Sequence, residues 1–400
     1  MTGTPSAFDD FALTARATPL AAIVADEIRA HGPMTFARFM ALALGHPEHG
    51  YYARPGLAWG AAGDFQTSPE VAPVFGYLWA RQVLECWERL GRPAPFHLVE
   101  VGAGSGAFSE AMLTWLRDRA PDCFAVLRAV VLDAMPRRIE EQRARLARAG
   151  FTAPIVEHTS ADAWLAREDR VTGVIISNEC FDALPVHIVE RRVTDTGDDL
   201  HEWYVTLDAS GALTFELGAP STPALAATFA RLGVQPGDGC RAEVCLAAPD
   251  LMRAMVRRLD RGYVLSIDYG HDAAALYASW RRMGTLMAFR QHSPQPDPLA
   301  SPGLLDLTAH VDLTTLADAA RDEGCEVPPH VSQAEALVGL GIGQAMQGVQ
   351  ERAAQDFLAY ANARRAAETL LDPTGLGRIR VLVAAKDAPA DLACLAAPMR

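Results

Sequence analysis

The segment Glu100-Val101-Gly102-Ala103-Gly104-Ser105-Gly106 closes an apolar run, FHLVEV, and opens a helical one. Glycines at alternate positions let the backbone turn sharply and bring a ligand against bare main chain, while the following helix points its N-terminus at whatever sits above. A dinucleotide loop spaces its glycines as GxGxxG. Here the spacing is GxGxG, and an acid, Glu100, stands two residues before the first glycine. Taken alone, such a loop leaves a nucleotide site or a plain structural turn open. Asp133, ending the next apolar run, stands where an acid accepts hydrogen bonds from both ribose hydroxyls. With Pro136 close behind, it also suits a helix-initiating turn. A third cluster, Ser177-Asn178-Glu179-Cys180-Phe181-Asp182, follows a later apolar run. Its carboxylates can hold a cationic nitrogen or take its proton, or Asn178 and Asp182 can simply cap a helix. His310 and His271 offer imidazole chemistry near neutral pH, or serve as hydrogen-bonding structural residues. Cys180 reads as a buried thiol, because no histidine partner is identifiable for it. Upstream, Gly63-Asp64-Phe65-Gln66-Thr67-Ser68-Pro69-Glu70 ends in a helix start, which by itself is structural.

These residues need a scaffold, and the pattern predicts one. Apolar positions at helical spacing predict two helices over 19–44, broken at Gly32-Pro33, and another over 74–90 after a loop-like stretch. Strand and helix signals then alternate: strand 96–101, helix 106–119, strand 127–132, helix 136–149, a short strand at 154–157 and strand 171–177. The last of these, VTGVIIS, does not alternate in polarity and so reads as a buried parallel strand. Between 186 and 217 the period becomes two, which predicts a β-rich elaboration. Strand 262–268, a hairpin strand at 284–290, helices at 314–323 and 351–371 and a last strand at 378–385 complete the chain.

The fold expectation is α/β: a Rossmann-like core of seven strands with a helical N-terminal section and β-rich and helical insertions. Its parts are a helical section over 1–93, a core over 94–390 with insertions at about 186–255 and 270–350 forming a cleft, and a loose tail over 391–400. A net charge of −13 and the lack of a dense basic cluster argue against nucleic acid as a partner. Seven scattered cysteines without a CxxC pair indicate neither a disulfide framework nor a metal site. No apolar stretch suits a signal peptide or a membrane span, so the expectation is a cytoplasmic protein without a membrane partner.

In order along the chain stand Gly50-Tyr51-Tyr52, GDFQTSPE with Phe75-Gly76, VEVGAGSG, SNECFDALPV, IDYG and PGLLDLTAHVDL. This series resembles the MidA-type class I methyltransferases, whose mitochondrial members assist assembly of respiratory complex I, and the match runs from about 22 to 383. The glycine loop itself resembles their motif I, which cradles the methionine and ribose of S-adenosylmethionine. The resemblance implies cofactor contact for Gly63, Asp64, Thr67 and Ser68 and places Asn178, Glu179 and Asp182 near the transferred methyl; the cofactor-binding candidates are these four with Glu100, Gly102, Gly104, Gly106, Asp133 and Asn178. His310 joins Glu179 and Asp182 as a catalytic candidate. The chain departs from the family in Ala103, Ser105 and Cys180, where a proline, a basic residue and an aromatic or aliphatic residue are usual. The implied activity is methyl transfer to an arginine of a partner protein. A small-molecule acceptor, or an assembly chaperone that keeps the fold without turnover, are the other readings, and a homodimer is a further expectation.

Overall fold

The computed structural model describes residues 18–55, 57, 67–195, 197–291, 293–351 and 356–396. Its centre is a sheet of seven strands: β1 (Phe96–Val101), β2 (Leu127–Asp133), β3 (Val156–Ser160), β4 (Val171–Asn178), β5 (Leu259–Asp268), β6 (Val331–Ser332) and β7 (Arg380–Lys386). Across the sheet they lie in the order β3-β2-β1-β4-β5-β7-β6. The first five run parallel, and β7 is antiparallel to both neighbours. This is the doubly wound Rossmann-like arrangement, reversing direction between β1 and β4. Register brings Val101 beside Leu132 and Ser177, and Asn178 beside Ile267. The residues that follow β1, β2, β4 and β5 therefore emerge on one rim.

Both faces of the sheet are covered, which is why these strands are continuous apolar runs. On one face, Val74–Arg89 and Ala107–Arg119 bury Phe75, Trp79, Phe108 and Met112. The two helices approach closely at Gly76, where an added Cβ would stand 2.4 Å from that of Ala111. On the other face, Ala247–Arg257 and Leu313–Asp322 bury Met252, Val256, Leu316 and Ala320. Both helices fall in segments expected as insertions, yet they pack on the core.

A second sheet, of five antiparallel strands, combines Met34–Thr35, His187–Thr194, Gly197–Leu207, Leu213–Gly218 and Arg241–Val244. Met34 pairs with Val205. Leu20, Val24, Phe36 and Phe39 share a core with Val186, Ile188, Val205 and Leu307. The N-terminal section and the insertions thus build one subdomain rather than separate parts. Two other expectations change. Helices Gln333–Gly339 and Ile342–Gln350 precede Phe357–Leu371, where only a helix over 351–371 was predicted. Residues 391–396, expected as part of a loose tail, pack on helix Val74–Arg89: Cys394 is fully buried and its N–H donates to Gln82 Oε1 at 2.9 Å. No helix among the described residues is long and apolar enough to cross a membrane.

Candidate active site

A cavity of about 880 Å³ opens along the carboxyl rim of β1, β2 and β4. Gly102, Gly104 and Gly106 line or border it with φ of +73°, +53° and +79°. These are left-handed conformations that side-chain-bearing residues rarely adopt, so the loop meets the cavity as main chain. Asp133 is turned toward the loop. Its Oδ2 accepts from Gly104 N–H at 3.1 Å and Gln142 Nε2 at 2.9 Å, and its Oδ1 from Met135 N–H at 3.1 Å. Gln142 also donates to Gly104 O at 2.9 Å, so one amide clamps both sides of the turn. Glu100 is buried beneath the loop with Ser109 Oγ as donor, and burial pushes its carboxyl up to about 8.

The segment after β4 gathers the acids. Glu179 has φ of +49°, uncommon for a residue with a side chain, and is held by its N–H to Ile267 O at 2.8 Å. Its Oε1 accepts from Ser68 N–H at 3.1 Å and Asn178 Nδ2 at 3.0 Å. Ser68 is itself pinned by Gln333, whose Oε1 accepts from Ser68 Oγ at 2.9 Å. Asp268, fully buried at the end of β5, accepts Cys180 N–H at 3.0 Å, Phe181 N–H at 2.8 Å and Tyr269 N–H at 2.9 Å, which fixes the path of the acidic segment. Asp182 and Asp306 are both buried nearby, and Tyr52 donates to Asp306 Oδ1 at 3.1 Å. Burial, reinforced by neighbouring carboxylates, pushes Glu179 up to about 8 and Asp182 well above the usual carboxylate range. Asp268 is pushed up to about 7 by burial, despite its three N–H donors.

A family model described as S-adenosyl-L-methionine-dependent methyltransferase matches residues 78–331. The chain belongs to this methyltransferase family. It is 29% identical over 353 residues to the mitochondrial protein arginine methyltransferase NDUFAF7 of Danio rerio, covering 81% of this chain and 77% of that protein. With the mitochondrial homolog of Drosophila melanogaster the identity is 30% over 381 residues, covering 88% and 81%. A crystal structure from Burkholderia thailandensis with bound S-adenosyl-homocysteine superposes with a TM-score of 0.83 at 29% identity, covering 99% of this chain and 98% of that one. The expectation of a cytoplasmic protein is overturned here, since these curated relatives are named as mitochondrial proteins.

The methyltransferase uses S-adenosylmethionine, and the residues present fit it. Bare backbone lines the cavity at the glycine loop. Asn178 Oδ1 lies buried without a hydrogen-bond partner among the described residues, an acceptor suited to an ammonium donor. Of the predicted site residues, Thr67, Glu100, Gly102, Gly104, Asp133, Asn178, Glu179, Asp182 and His310 line this one cavity. Ser68 lies just behind it through Glu179, and Gly106 ends the loop as the helix begins. Gly63 and Asp64 lie outside the described residues. Cys180 carries a neutral thiol, because burial and Asp268 push it up, in keeping with its reading as a non-nucleophile.

His310 reaches the cavity, but its chemistry differs from the expectation. Burial pushes it down to about 3, helped by His271, Arg378 and Arg281, so it is a neutral and weakly basic imidazole. Acid–base duty near pH 7 therefore does not suit it. The residues that sequence reasoning did not single out are Asp268, Asp306, Tyr52 and Gln142. The first three stand inside the quoted motifs IDYG, PGLLDLTAHVDL and Gly50-Tyr51-Tyr52; for Gln142 there was no signal beyond its place on a helix.

Proposed function

We propose that this methyltransferase methylates an arginine side chain of a partner protein. The observation that carries the reading is the crowding of Glu179, Asp182, Asp268 and Asp306 beside the glycine loop, with raised carboxyl pKa values for the first three and without a cationic partner for Glu179 or Asp182 among the described residues. A site that keeps carboxylates desolvated and unpaired is complementary to a cation, and a planar guanidinium can donate two parallel N–H bonds to one carboxylate. The names of the curated relatives point the same way.

When bound, S-adenosylmethionine supplies an electrophilic methyl on a sulfonium. Glu179 Oε1 is occupied by Ser68 and Asn178, which leaves Oε2 to accept from the guanidinium and aim its nitrogen at the methyl carbon. A carboxylate of the cluster, Glu179 or Asp182, would take the proton that the guanidinium nitrogen gives up on accepting the methyl group, while the sulfonium sulfur would keep the electron pair of the bond it loses. Asp268 acts as a positioning residue through the N–H groups of Cys180 and Phe181. On the cofactor side, Asp133 and the loop from Glu100 to Gly106 would hold ribose and methionine, with Asn178 and Thr67 bordering them. The parts assigned to Gly63 and Asp64 rest on the resemblance alone.

Labelled-methyl transfer into lysate, split into protein and small-molecule fractions, tests this. Label recovered as methylarginine in protein is expected. Label confined to small molecules would overturn the reading and favour the small-molecule acceptor.

A further inference from the structure

The cavity has a second, oppositely charged side. Arg281 and Arg378 both line it, and among the described residues neither forms an ion pair with a carboxylate. Arg281 Nε donates to Ala275 O at 3.0 Å, its Nη2 meets His271 Nε2 at 2.8 Å, and Arg378 lies over the Tyr269 ring at 5.9 Å. The two cations are close enough that, after burial, Arg378 lowers the pKa of Arg281, and they act on the same imidazoles: His271 is pushed down to about 4 by burial, Arg281, Arg380 and Arg378, and His310 to about 3 by burial, His271, Arg378 and Arg281. His310 Nδ1, on the same wall, is buried with no hydrogen-bond partner among the described residues. Glu243 beneath the wall offsets part of the charge of Arg281 without pairing with it among the described residues, and two neighbouring cations left without a direct ion pair are unfavourable unless an anionic ligand completes them.

The support under this wall is built. Buried Glu243 accepts from Thr285 N–H at 2.7 Å and Thr285 Oγ1 at 2.9 Å, and Thr285 Oγ1 in turn accepts His310 N–H at 3.0 Å. Gly284, with φ of +71°, would place a Cβ 2.1 Å from Glu243 Oε1, so the loop closes onto the carboxylate only as glycine. Next to Arg281 on this loop, Trp280 and Met283 are each 69% exposed, and Arg281 stacks on Trp280 at 4.4 Å. Exposed Trp and Met beside Arg have the composition of a protein-binding surface.

We propose that Arg281 and Arg378 bind a carboxylate of the acceptor polypeptide close in sequence to the methylated arginine, while Trp280 and Met283 pack against its apolar neighbours. This rests on the arginine-acceptor reading and adds a specificity to it: the acceptor is an arginine flanked by Asp or Glu, read between an acidic floor and a cationic wall. The same cations could hold the methionine carboxylate of the cofactor, so the test has an arm for each source.

Initial rates are measured with the full chain on two arginine peptides that differ only in having glutamate or glutamine on either side of the arginine. Affinity for S-adenosylhomocysteine is measured by calorimetry in parallel. The glutamate peptide should show a KM about tenfold lower, and Arg281→Gln and Arg378→Gln should each narrow that gap. Arg378→Glu should turn the preference toward a lysine-flanked peptide, a gain that misfolding cannot produce. Equal KM values in the unmodified enzyme would overturn the proposal without any variant. Weakened S-adenosylhomocysteine binding in the variants, with the KM ratio intact, would also overturn it and assign the arginines to the cofactor. Transfer to neither peptide by protein that binds S-adenosylhomocysteine would sink the arginine-acceptor reading as well.

Discussion

The two edges of the central sheet handle charge in opposite ways. At the amino edge, Arg258 is buried, yet its guanidinium lies over Trp164 at 4.2 Å, donates to Arg167 O at 3.0 Å and pairs with Asp169 at 3.2 Å. Arg167 pairs with Glu157 beside it. At the carboxyl edge, Glu179 and Asp182 are as deeply set, yet among the described residues neither they nor Arg281 and Arg378 across the same cavity close into an ion pair. Charges that close on one another hold a fold, whereas desolvated charges left open carry a free-energy cost that only a ligand relieves. The contrast agrees with the rule that open α/β sheets bind ligands beyond the carboxyl ends of their strands.

The largest test of this contrast lies in the glycine loop. Gly104→Val forces a β-branched residue to φ of +53° and puts a side chain against the cavity. Calorimetry should detect no S-adenosylmethionine binding; retention of native affinity would show that the loop is not where the cofactor rests. Glu179→Gln keeps the shape and removes the charge. It should lower kcat by about 100-fold, the range for removing a proton acceptor or an electrostatic contact. Affinity for S-adenosylhomocysteine should stay within about threefold, a small fraction of the effect on turnover. Wild-type turnover in this variant would remove Glu179 from the mechanism.

A pH series sharpens the contrast further, because it should move activity and stability in opposite directions. Glu179 is pushed up to about 8 in the free enzyme, so it is largely protonated at pH 6 and must ionise to hold a cation; Asp268, pushed up to about 7, ionises over the same range and tightens its hold on the N–H groups that position the acidic segment. Consequently kcat/KM should rise from pH 6 to 8.5 and level off, and Glu179→Gln should flatten the upper part of the rise. For stability the sign reverses. A carboxyl whose folded pKa lies above its unfolded value contributes most below about 4, and that contribution is lost as pH rises through the folded pKa. The melting temperature of the ligand-free protein should therefore fall between pH 6 and 9. A flat kcat/KM profile, or a melting temperature that climbs across the same interval, would contradict the raised pKa values.

Much of the parallel core was legible because its strands are buried on both faces and leave unbroken apolar runs, as in VTGVIIS of β4. The glycine loop and Asp133 were legible because their chemistry is local in sequence. What could not be read was long-range. Tyr52 meets Asp306 across 254 positions, and neither residue has a local signal for it. Met34–Thr35 joins the second sheet with two residues, too few for any period to show. Helix Ile342–Gln350 contains two glycines and begins at Gly341 without a side-chain cap, so its propensity is weak and its start unmarked. His310 lines the cavity, and its lowered pKa favours the structural one of the two readings that its sequence position left open. Burial depresses that pKa most, followed by His271 and by arginines from a loop around 281 and from the turn before β7, and no local pattern connects these to residue 310.

The amino edge supplies the smallest and most discriminating expected effect. Arg258→Met keeps an unbranched apolar stem over Trp164 but discards the guanidinium, whose Nε and Nη2 are buried without hydrogen-bond partners among the described residues. Removing such a charge relieves its desolvation while costing the stacking and the contact with Arg167 O, and the side chain of its partner Asp169 is 69% exposed, so no buried anion is stranded. The opposing effects should leave stability within about 1 kcal/mol of the starting protein, measured by urea denaturation. Turnover and cofactor affinity should match the unmodified enzyme, because the residue lies at the opposite end of the strands from the cavity. A drop in kcat with stability intact would mean that the two edges are coupled, and that closed ion pairs at one end help set the open charges at the other.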